Sequence, residues 1–464
     1  MNKKHVCVFY SRYLSVYVCK IKERGYDESC MIEDLDVLQK ARKIHFIGIG
    51  GIGISAIARL MLKWGKHITG SDQSQSIVTD ELAKLGARIY KGHRASRVIR
   101  NVDVVIYSPA IPKNNVEFLR ARRLGIPAYS YPEALGMISR GKYTIAVSGT
   151  HGKTTTTAMI GKMLEGAGLK PTMIVGSLLM ETRSNLVVGD GDYLVVEADE
   201  YKKSFLNLDP KILVITNIEA DHLDFYKNLE DIQRAFGELV IKMGSRGALV
   251  CDTGLKNLKP ILKKAKCLVI NYGNISTIPK LKVPGNHNVE NARATYAVGR
   301  LLKITHADII KSLQNFEGTW RRFECKGKMK SGALVYDDYA HHPTEIKATL
   351  RAAREKFGKQ KIIAVFMPHL FSRTKDFLKE FGKSFGDADE VIIADIFPAR
   401  EKDDGTVHSR GLVAEIKKHG KNARHIGEMD EIEKFLRKYA TKGDVIMTIG
   451  AGDIYRVAGA LIKE

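Results

Sequence analysis

Short apolar runs alternate with segments of helical periodicity along most of this 464-residue chain. Short buried runs separated by helical segments predict parallel strands joined by helical crossovers. A helix is also predicted at residues 154–165, directly after one of these runs. The pattern therefore predicts an α/β fold, with strands that include residues 43–47, 143–147, 193–196, 333–336, 361–366, 390–394 and 444–449.

Two glycine loops, each directly after a predicted strand, indicate where separate units begin. A chain of this length exceeds what one hydrophobic core usually supports. We predict three units, at residues 43–140, 141–319 and 320–464. Residues 1–42 are predicted to be an N-terminal extension of unknown role, with Met31 as a candidate start. They lack the apolar stretch and the cleavage site of a signal peptide.

Charge and cysteine content narrow the class of protein. The formal net charge is +22, but Lys and Arg are scattered among Asp and Glu without a long basic block. We expect a solvated, lysine-rich surface that favours anionic small molecules, and no nucleic-acid partner. No stretch is long and apolar enough to predict membrane insertion. The six cysteines show no CxxC spacing, which predicts reduced thiols and a cytoplasmic location.

The stretch from Val147 to Thr156 carries the strongest chemical signal. Backbone N–H groups of a glycine loop and of the helix after it can cradle a polyphosphate. Lys153 would neutralise the β- and γ-phosphates, and the Thr154 hydroxyl would contact Mg²⁺. Val147 stands where the general pattern has its first glycine, so the loop is a compact variant; a plain glycine turn with Lys153 in solvent is the alternative. We predict an ATP-binding loop of Gly149, Thr150, His151, Gly152, Lys153, Thr154 and Thr155.

A second glycine loop, at residues 48–53, follows the first strand and opens a helix. It matches GxGxxG, and Asp72 lies near the end of the second strand, where the ribose partner of a dinucleotide would lie. Tight strand–helix packing needs the same glycines, and a diphosphate of another kind would fit the loop equally well. The residues alone leave these alternatives open.

Carboxylates and histidines follow further strands. Residues 197–200 end a strand near the phosphate loop, and carboxylates placed there can hold Mg²⁺; an exposed acidic turn is the alternative. His222 could contact a metal or a substrate carboxylate, although a lone histidine is usually structural. Asn291, early in a predicted helix, could read a base edge or belong to the helix cap. Arg322 could clamp a phosphate.

The last unit places further polar residues at strand ends. Residues 337–343 combine two carboxylates, a tyrosine and two histidines. The zinc interpretation fails because further ligands at suitable spacing are missing. His369 and Arg373 follow the neighbouring strand and could together bind a small carboxylate. The alternative is a helix start with Arg373 in solvent.

The order of these motifs, over residues 43–455, resembles that of the Mur ligases of peptidoglycan synthesis. The matching stretches are 45–51, 149–155, 217–222 and 337–343. The resemblance implies a Rossmann-like domain at 43–140 that binds a UDP sugar, a central P-loop ATPase-type α/β domain at 141–319 and a C-terminal Rossmann-like domain at 320–464. The loop at 48–53 would then hold the UDP diphosphate, without a hydride step.

Within the family, the chain resembles most the branch that adds L-alanine to UDP-N-acetylmuramate. ATP, with Mg²⁺, would phosphorylate the lactyl carboxylate, and the alanine amine would attack the acyl phosphate while domain closure excludes water. Residues 228–241 contain no lysine, in keeping with this branch, whereas several Mur ligases use a carbamylated lysine there. We expect a monomer or a weak homodimer.

The resemblance implies a role for each matching residue. Catalytic roles fall to Lys153, Glu197, His222 and His341, and metal contacts to Thr154, Glu197 and His222. Nucleotide contacts are implied for the phosphate loop together with Asn291, Arg322 and Asp338. The UDP-sugar site would comprise Gly48, Gly50, Gly51, Gly53, Ser71 and Asp72. The amino-acid pocket would comprise Tyr339, His341, His369 and Arg373.

Departures from the family pattern keep other hypotheses open. Tyr201 and Lys202 stand where many alanine-adding ligases have Ser-Asp, and a tyrosine there is similar to the murein tripeptide ligase, which acts on the same sugar. That relative usually lacks the Pro-His-x-Phe-x-Arg pattern kept at 368–373. Leu370 replaces an Arg of some alanine-adding enzymes, which leaves alanine, glycine and serine open. The hypothesis of a basic P-loop ATPase that binds nucleic acid is supported by the net charge alone. The hypothesis of a dehydrogenase is supported by the GxGxxG match alone.

Overall fold

The computed structural model describes residues 37–182, 184–399 and 401–463. Within these residues the strands form three sheets, of five, seven and six strands. The predicted α/β fold class is confirmed. Of the predicted extension, Met31 and the rest of residues 1–36 lie outside the described residues, and residues 37–40 form a helical turn.

The first sheet is parallel throughout and contains β1 (Lys43–Ile47), β2 (His67–Asp72), β3 (Arg88–Lys91), β4 (Val104–Tyr107) and β5 (Ala128–Ser130). Its strand order is β3-β2-β1-β4-β5. Ligands of such open sheets bind beyond the carboxyl ends of the strands, where the strand order reverses. The order reverses between β1 and β4, and the glycine loop at 48–53 directly follows β1.

The second sheet contains β6 (Tyr143–Ser148), β7 (Thr172–Ile174), β8 (Leu186–Val187), β9 (Tyr193–Glu197), β10 (Ile212–Ile215), β11 (Ala248–Cys251) and β12 (Leu268–Asn271). Its order is β12-β11-β10-β6-β9-β7-β8, and β8 pairs antiparallel with β7. The strand β6, which leads into the predicted phosphate loop, therefore lies between β10 and β9. Residues that follow these two strands are placed to contact the loop.

The third sheet contains β13 (Glu324–Lys328), β14 (Leu334–Asp338), β15 (Ile362–Phe366), β16 (Glu390–Ile393), β17 (Asn422–His425) and β18 (Val445–Ile449). Its order is β13-β14-β18-β15-β16-β17, with β13 antiparallel to β14. The strands predicted for this unit are all present, with ends that differ by one or two residues. The apolar runs predicted them because both faces of the inner strands are buried.

Helices connect the parallel strands, as parallel pairing requires. Among the described residues, no helix is both long enough and apolar enough to cross a bilayer. The helix after the phosphate loop runs from Lys153 to Gly166, close to the predicted 154–165. The helices are Ile52–Lys63, Ile77–Lys84, Val116–Arg123, Tyr131–Arg140, Lys153–Gly166, Leu229–Met243, Lys259–Leu262, Asn286–Leu301, His306–Asn315, Pro343–Phe357, Phe371–Asp376, Leu378–Gly382, Ser409–Lys418, Met429–Tyr439 and Tyr455–Leu461.

The three sheets are not joined in the same way. One apolar cluster runs from the first sheet into the second and includes Phe46, Leu135 and Leu213. Among the described residues, the two clusters around the third sheet contain only side chains from Phe323 onward. The first two sheets therefore share a hydrophobic core, whereas the third has its own.

A buried arginine fixes the start of the third sheet. Arg321 is 2% exposed, and its Nε donates to Asp337 at 2.7 Å. Its other nitrogens donate to the carbonyls of Gly450 and Gly452. Because both charges are withdrawn from water, removal of one partner leaves the other uncompensated.

We expect Arg321→Met to lower the free energy of unfolding of the third sheet by about 3–5 kcal/mol, because Asp337 would be left as a buried unpaired charge. Urea unfolding followed by Trp320 fluorescence in a Trp64→Phe background measures this change. Arg351→Met is the matched control, since Arg351 is 76% exposed and its loss should cost less than about 0.5 kcal/mol. Equal effects of the two substitutions would contradict the prediction.

Candidate active site

Two glycines give the predicted phosphate loop its shape. Gly149 has φ +130°, and a Cβ there would lie 2.2 Å from Thr216 Oγ1. Gly152 has φ +83°, and its Cβ would lie 2.5 Å from the Oδ1 atom of Asn291. Both positions therefore exclude a side chain, on conformation and on space. Gly152 is also the N-cap of the helix Lys153–Gly166, whose first N–H groups are free to face an anion.

The segment after β10 holds the loop in place. Asn217 accepts from the backbone N–H of His151 at 2.9 Å and donates to the His151 carbonyl at 3.1 Å. Thr216 donates to the same carbonyl at 2.6 Å. The hydroxyl of Thr150 accepts from the N–H of Glu219 at 2.8 Å. The motif at 217–222 was singled out in the sequence for His222, and this clamp by its first residues was missed.

Lys153 has partners inside the protein. Its Nζ donates to the carbonyls of Gly149 and Thr150, at 2.5 and 3.1 Å, and to Glu200 Oε1 at 2.9 Å. Burial lowers the pKa of Lys153, but neighbouring carboxylates, Glu200 first, outweigh it and raise the pKa above its usual range. Lys153 is therefore held as a cation beside the loop.

A carboxylate–histidine cluster lies next to Lys153. Ligand atoms of Asp199, Glu200 and His222 all lie within 4.8 Å of one another. Glu197, predicted as a metal residue, accepts from the N–H of Gly176 at 2.8 Å. Burial lowers the pKa of His222 and keeps its imidazole neutral, as metal ligation requires. Asp199 and Glu200 belong to the predicted acidic stretch but were not chosen from the sequence.

A second histidine cluster joins the loop to the third sheet. Ligand atoms of His151, Glu219 and His342 also lie within 4.8 Å of one another. His342, however, caps the helix Pro343–Phe357, and its Nδ1 accepts from the Thr344 N–H at 3.3 Å. In the neutral ring the proton then sits on Nε2, so that Nε2 has no lone pair for a metal. We interpret this cluster as an ion-pair network.

The residues predicted for the amino-acid pocket converge on the central sheet. Arg373 is buried and donates to Asp221 at 3.0 Å; its Nη1 lies 3.2 Å from His369 Nδ1. The His341 ring lies 6.1 Å from the His369 ring and 5.5 Å from the Tyr339 ring. The alternative interpretation, a helix start with Arg373 in solvent, is therefore wrong, because Arg373 is buried.

The predicted nucleotide contacts lie at the boundary of the second and third sheets. Asn291 accepts from the Thr156 hydroxyl at 3.0 Å, directly behind the loop. Asp338 accepts from the N–H groups of Phe323 and Ala340, and burial raises its pKa to about 6. The Arg322 guanidinium lies 5.4 Å from the Tyr339 ring.

The first glycine loop is closed by two residues from the end of β2. The N–H groups of Gly48 and Ile49 donate to the Ser71 carbonyl, and the N–H of Gly50 donates to Asp72 at 2.8 Å. The Ser71 hydroxyl donates to Glu117, away from the loop. A Cβ at Gly53 would lie 2.8 Å from the Tyr131 ring, so this loop packs against the helix that leads into the central sheet. Gly51 completes the loop.

The middle one of the three α/β units holds a glycine phosphate loop with a lysine beside it. This arrangement is typical of a nucleotide-dependent enzyme. Three family models match the chain in succession. The Mur ligase family catalytic domain matches residues 43–143, the Mur ligase middle domain 147–280, and the Mur ligase glutamate ligase domain 321–452. The chain belongs to the Mur ligase family, whose members are ATP-dependent ligases that require Mg²⁺.

Individual relatives agree with the family models. The UDP-N-acetylmuramate–L-alanine ligase of Clostridium kluyveri is 44% identical over 456 residues, which cover 92% of this chain and 99% of that protein. The enzyme of the same name from Clostridium acetobutylicum is 41% identical over 452 residues, 91% of this chain and 98% of that one.

Solved structures show the same architecture. The UDP-N-acetylmuramate-alanine ligase of Thermotoga maritima has a TM-score of 0.76 at 30% identity, and the match covers 90% of this chain and 98% of that one. A murein peptide ligase from Psychrobacter arcticus has a TM-score of 0.68 at 24% identity, with the same coverage. At that identity the second match shows the fold alone.

We expect Asn217→Ala to weaken binding of a fluorescent ATP analogue about tenfold, because two hydrogen bonds that fix the loop backbone are lost. A fluorescence titration measures the dissociation constant. Asn271→Ala is the control, since Asn271 also bonds backbone N–H groups but at the far edge of the same sheet. An unchanged dissociation constant for Asn217→Ala would contradict the clamp.

Proposed function

We propose that this chain joins L-alanine to the lactyl carboxylate of UDP-N-acetylmuramate, with cleavage of ATP to ADP and phosphate. The observation that carries the proposal is the convergence of Lys153 in its phosphate loop, His222, and buried Arg373 with its neighbour His369 at one boundary between two sheets. Relatives named UDP-N-acetylmuramate–L-alanine ligase, which are 41–44% identical over almost their whole length, support the choice of substrates.

The first step makes the carboxylate reactive. A lactyl oxygen attacks the γ-phosphorus of ATP, ADP leaves, and an acyl phosphate forms. Lys153 is placed to stabilise the charge on the transferring phosphoryl group, and the N–H groups after Gly152 would hold the phosphates. Thr150, His151, Thr154 and Thr155 complete this loop in the proposal. Asn291, Arg322 and Asp338 would contact the rest of the nucleotide.

The acidic cluster beside Lys153 suits a cation. Buried Glu200 Oε2 and His222 Nδ1 have no hydrogen-bond partner among the described residues, and Asp199 adds a further carboxylate. We propose that these residues, with Thr154 and Glu197, hold the Mg²⁺ of the reaction. Bound there, Mg²⁺ would supply positive charge opposite the phosphates.

The second step forms the amide bond. The alanine amine attacks the carbonyl carbon, phosphate leaves, and the amine loses a proton. Burial lowers the pKa of His341 to about 4, so its ring is neutral. Nδ1 lies 3.0 Å from the Tyr339 carbonyl and donates to it, which leaves Nε2 as an acceptor for that proton. Arg373, fixed by Asp221 and His369, has further N–H groups for the alanine carboxylate.

The UDP sugar would enter from the first sheet. The loop at 48–53, with Asp72 and Ser71 behind it, would receive the diphosphate. Tyr131 packs on Gly53, and burial, together with the nearby carboxylates of Asp199 and Glu197, raises its pKa. Tyr131 therefore lies close to both the glycine loop and the acidic cluster. We propose a cytoplasmic enzyme, a monomer or weak homodimer; the described cysteines are free thiols.

We expect phosphate release from ATP and Mg²⁺ with UDP-N-acetylmuramate to depend on alanine, because the acyl phosphate needs an amine acceptor. Glycine, serine and the murein tripeptide are tested in parallel. Lys153→Ala should lower the rate about a thousandfold. Lys162→Ala, on the same helix but paired with two half-exposed glutamates, should leave the rate unchanged. Release only with the tripeptide, or with no acceptor, would contradict the proposal.

A further inference from the structure

The boundary between the second and third sheets is held by polar contacts from the phosphate loop and the segment after β10. Glu219 accepts from Thr344 at 2.7 Å, and Asp221 accepts from Arg373 at 3.0 Å. The third contact runs from the His151 Nδ1 to Glu345 Oε1, at 3.2 Å. Of these three, only the last involves a side chain of the phosphate loop itself.

His151 is held on two sides. Its Nε2 lies 3.5 Å from Glu219 Oε2 and its Nδ1 faces Glu345, so one carboxylate comes from each sheet. The His342 ring lies 4.8 Å away. The backbone of His151 is at the same time fixed by Asn217. His151 is thus a bridge, with its main chain in the second sheet and the hydrogen-bond partner of its imidazole, Glu345, in the third.

Glu345 connects this bridge to the helix of the third sheet. It is the third residue of the helix Pro343–Phe357, and its Oε2 accepts from the N–H groups of His341 and His342. Its other oxygen faces His151 and lies 3.9 Å from Arg322. One carboxylate therefore caps the helix that follows the predicted amino-acid pocket and also holds the phosphate loop.

The charges agree with this geometry. Burial lowers the pKa of His151, but the carboxylates of Glu219 and Glu345 outweigh it and raise the pKa to about 9. Burial raises the pKa of Glu345, yet the surrounding cationic and imidazole groups hold it well below its usual range. The titratable groups that face His151 are Glu219, Glu345, His342 and His287, and Arg322 lies beside Glu345.

We propose that Glu345 is a positioning residue: from the third sheet it holds the His151 side chain, and so makes the phosphate loop bind ATP well only when the third sheet is seated against the second. The loop backbone alone is set by the second sheet. The His151 side chain, in contrast, reaches its partner Glu345 only when the third sheet is in contact with the second. The kinetic part of this inference rests on the proposed function, but its nucleotide-binding part does not.

The test is a double-mutant cycle on Glu345→Gln and His151→Gln, read by the dissociation constant of a fluorescent ATP analogue and by alanine-dependent phosphate release. The glutamine keeps an oxygen for the helix cap, so the cap is retained while the charge is lost. We expect each single substitution to weaken binding of the analogue about tenfold. The double variant should bind the analogue no more weakly than either single variant, because both substitutions remove the same interaction.

A control separates positioning from a general effect of charge on this helix. Glu355→Gln changes a half-exposed carboxylate at the far end of the same helix. It should stay within about twofold of wild type. Thermal unfolding of every variant shows whether the fold is kept.

The pH profile gives a readout that a structural role would not produce. The interaction is present while His151 is protonated and is lost as pH rises through about 9. The tighter binding of the analogue by wild type than by Glu345→Gln should therefore be constant near pH 7 and should disappear above about pH 9. If Glu345→Gln fails to fold, the same profile of His151→Gln against wild type decides.

Three outcomes would overturn the inference: multiplicative effects in the double variant, an equal effect of Glu355→Gln, or a pH-independent difference between wild type and Glu345→Gln. If wild type binds the analogue but releases no alanine-dependent phosphate, the proposed function fails. The titrations would still decide the role of Glu345.

Discussion

The hydrogen bonds between the phosphate loop and the segment after β10 are the constraint on which the site depends. They occupy the N–H and the carbonyl of His151, and so leave the first helical N–H groups, from Gly152 onward, to a ligand. The same seven residues, 216–222, then supply Glu219 to Thr344, Asp221 to Arg373, and His222 to the acidic cluster. One strand end thus contacts the phosphate loop, the acidic cluster and the third sheet.

Charge in the site is arranged before any substrate arrives. Lys153 is held between loop carbonyls and Glu200, so its ammonium is in place without reorganisation when a phosphate replaces one of these partners. Arg373 is similarly held by Asp221 and His369. The neutral rings of His222 and His341 complete the set, because burial withholds the proton from both.

The fold class could be predicted because its signals are local. The apolar runs gave seven of the strands, at least one in each sheet, to within two residues. The prediction of Gly149, Gly152 and Lys153 as a phosphate loop follows from the chemistry of a phosphate. Contacts between distant residues left no signal in the local sequence. In the sequence, Asn217 is one polar residue after a strand, and Arg321 is only the neighbour of Arg322. Glu345 reads as an ordinary helix-start glutamate, and its contact with a residue 194 positions away needs the packed structure.

The separate core of the third sheet has a thermodynamic consequence. Because its apolar clusters do not extend into the rest of the described chain, separating it from the second sheet would leave both cores intact and would break the ion pairs and hydrogen bonds between the two sheets. The heat-capacity change and the denaturant sensitivity of such a separation would be small beside those of global unfolding, since both scale with newly exposed surface. Ionic strength would act on the charged contacts among them.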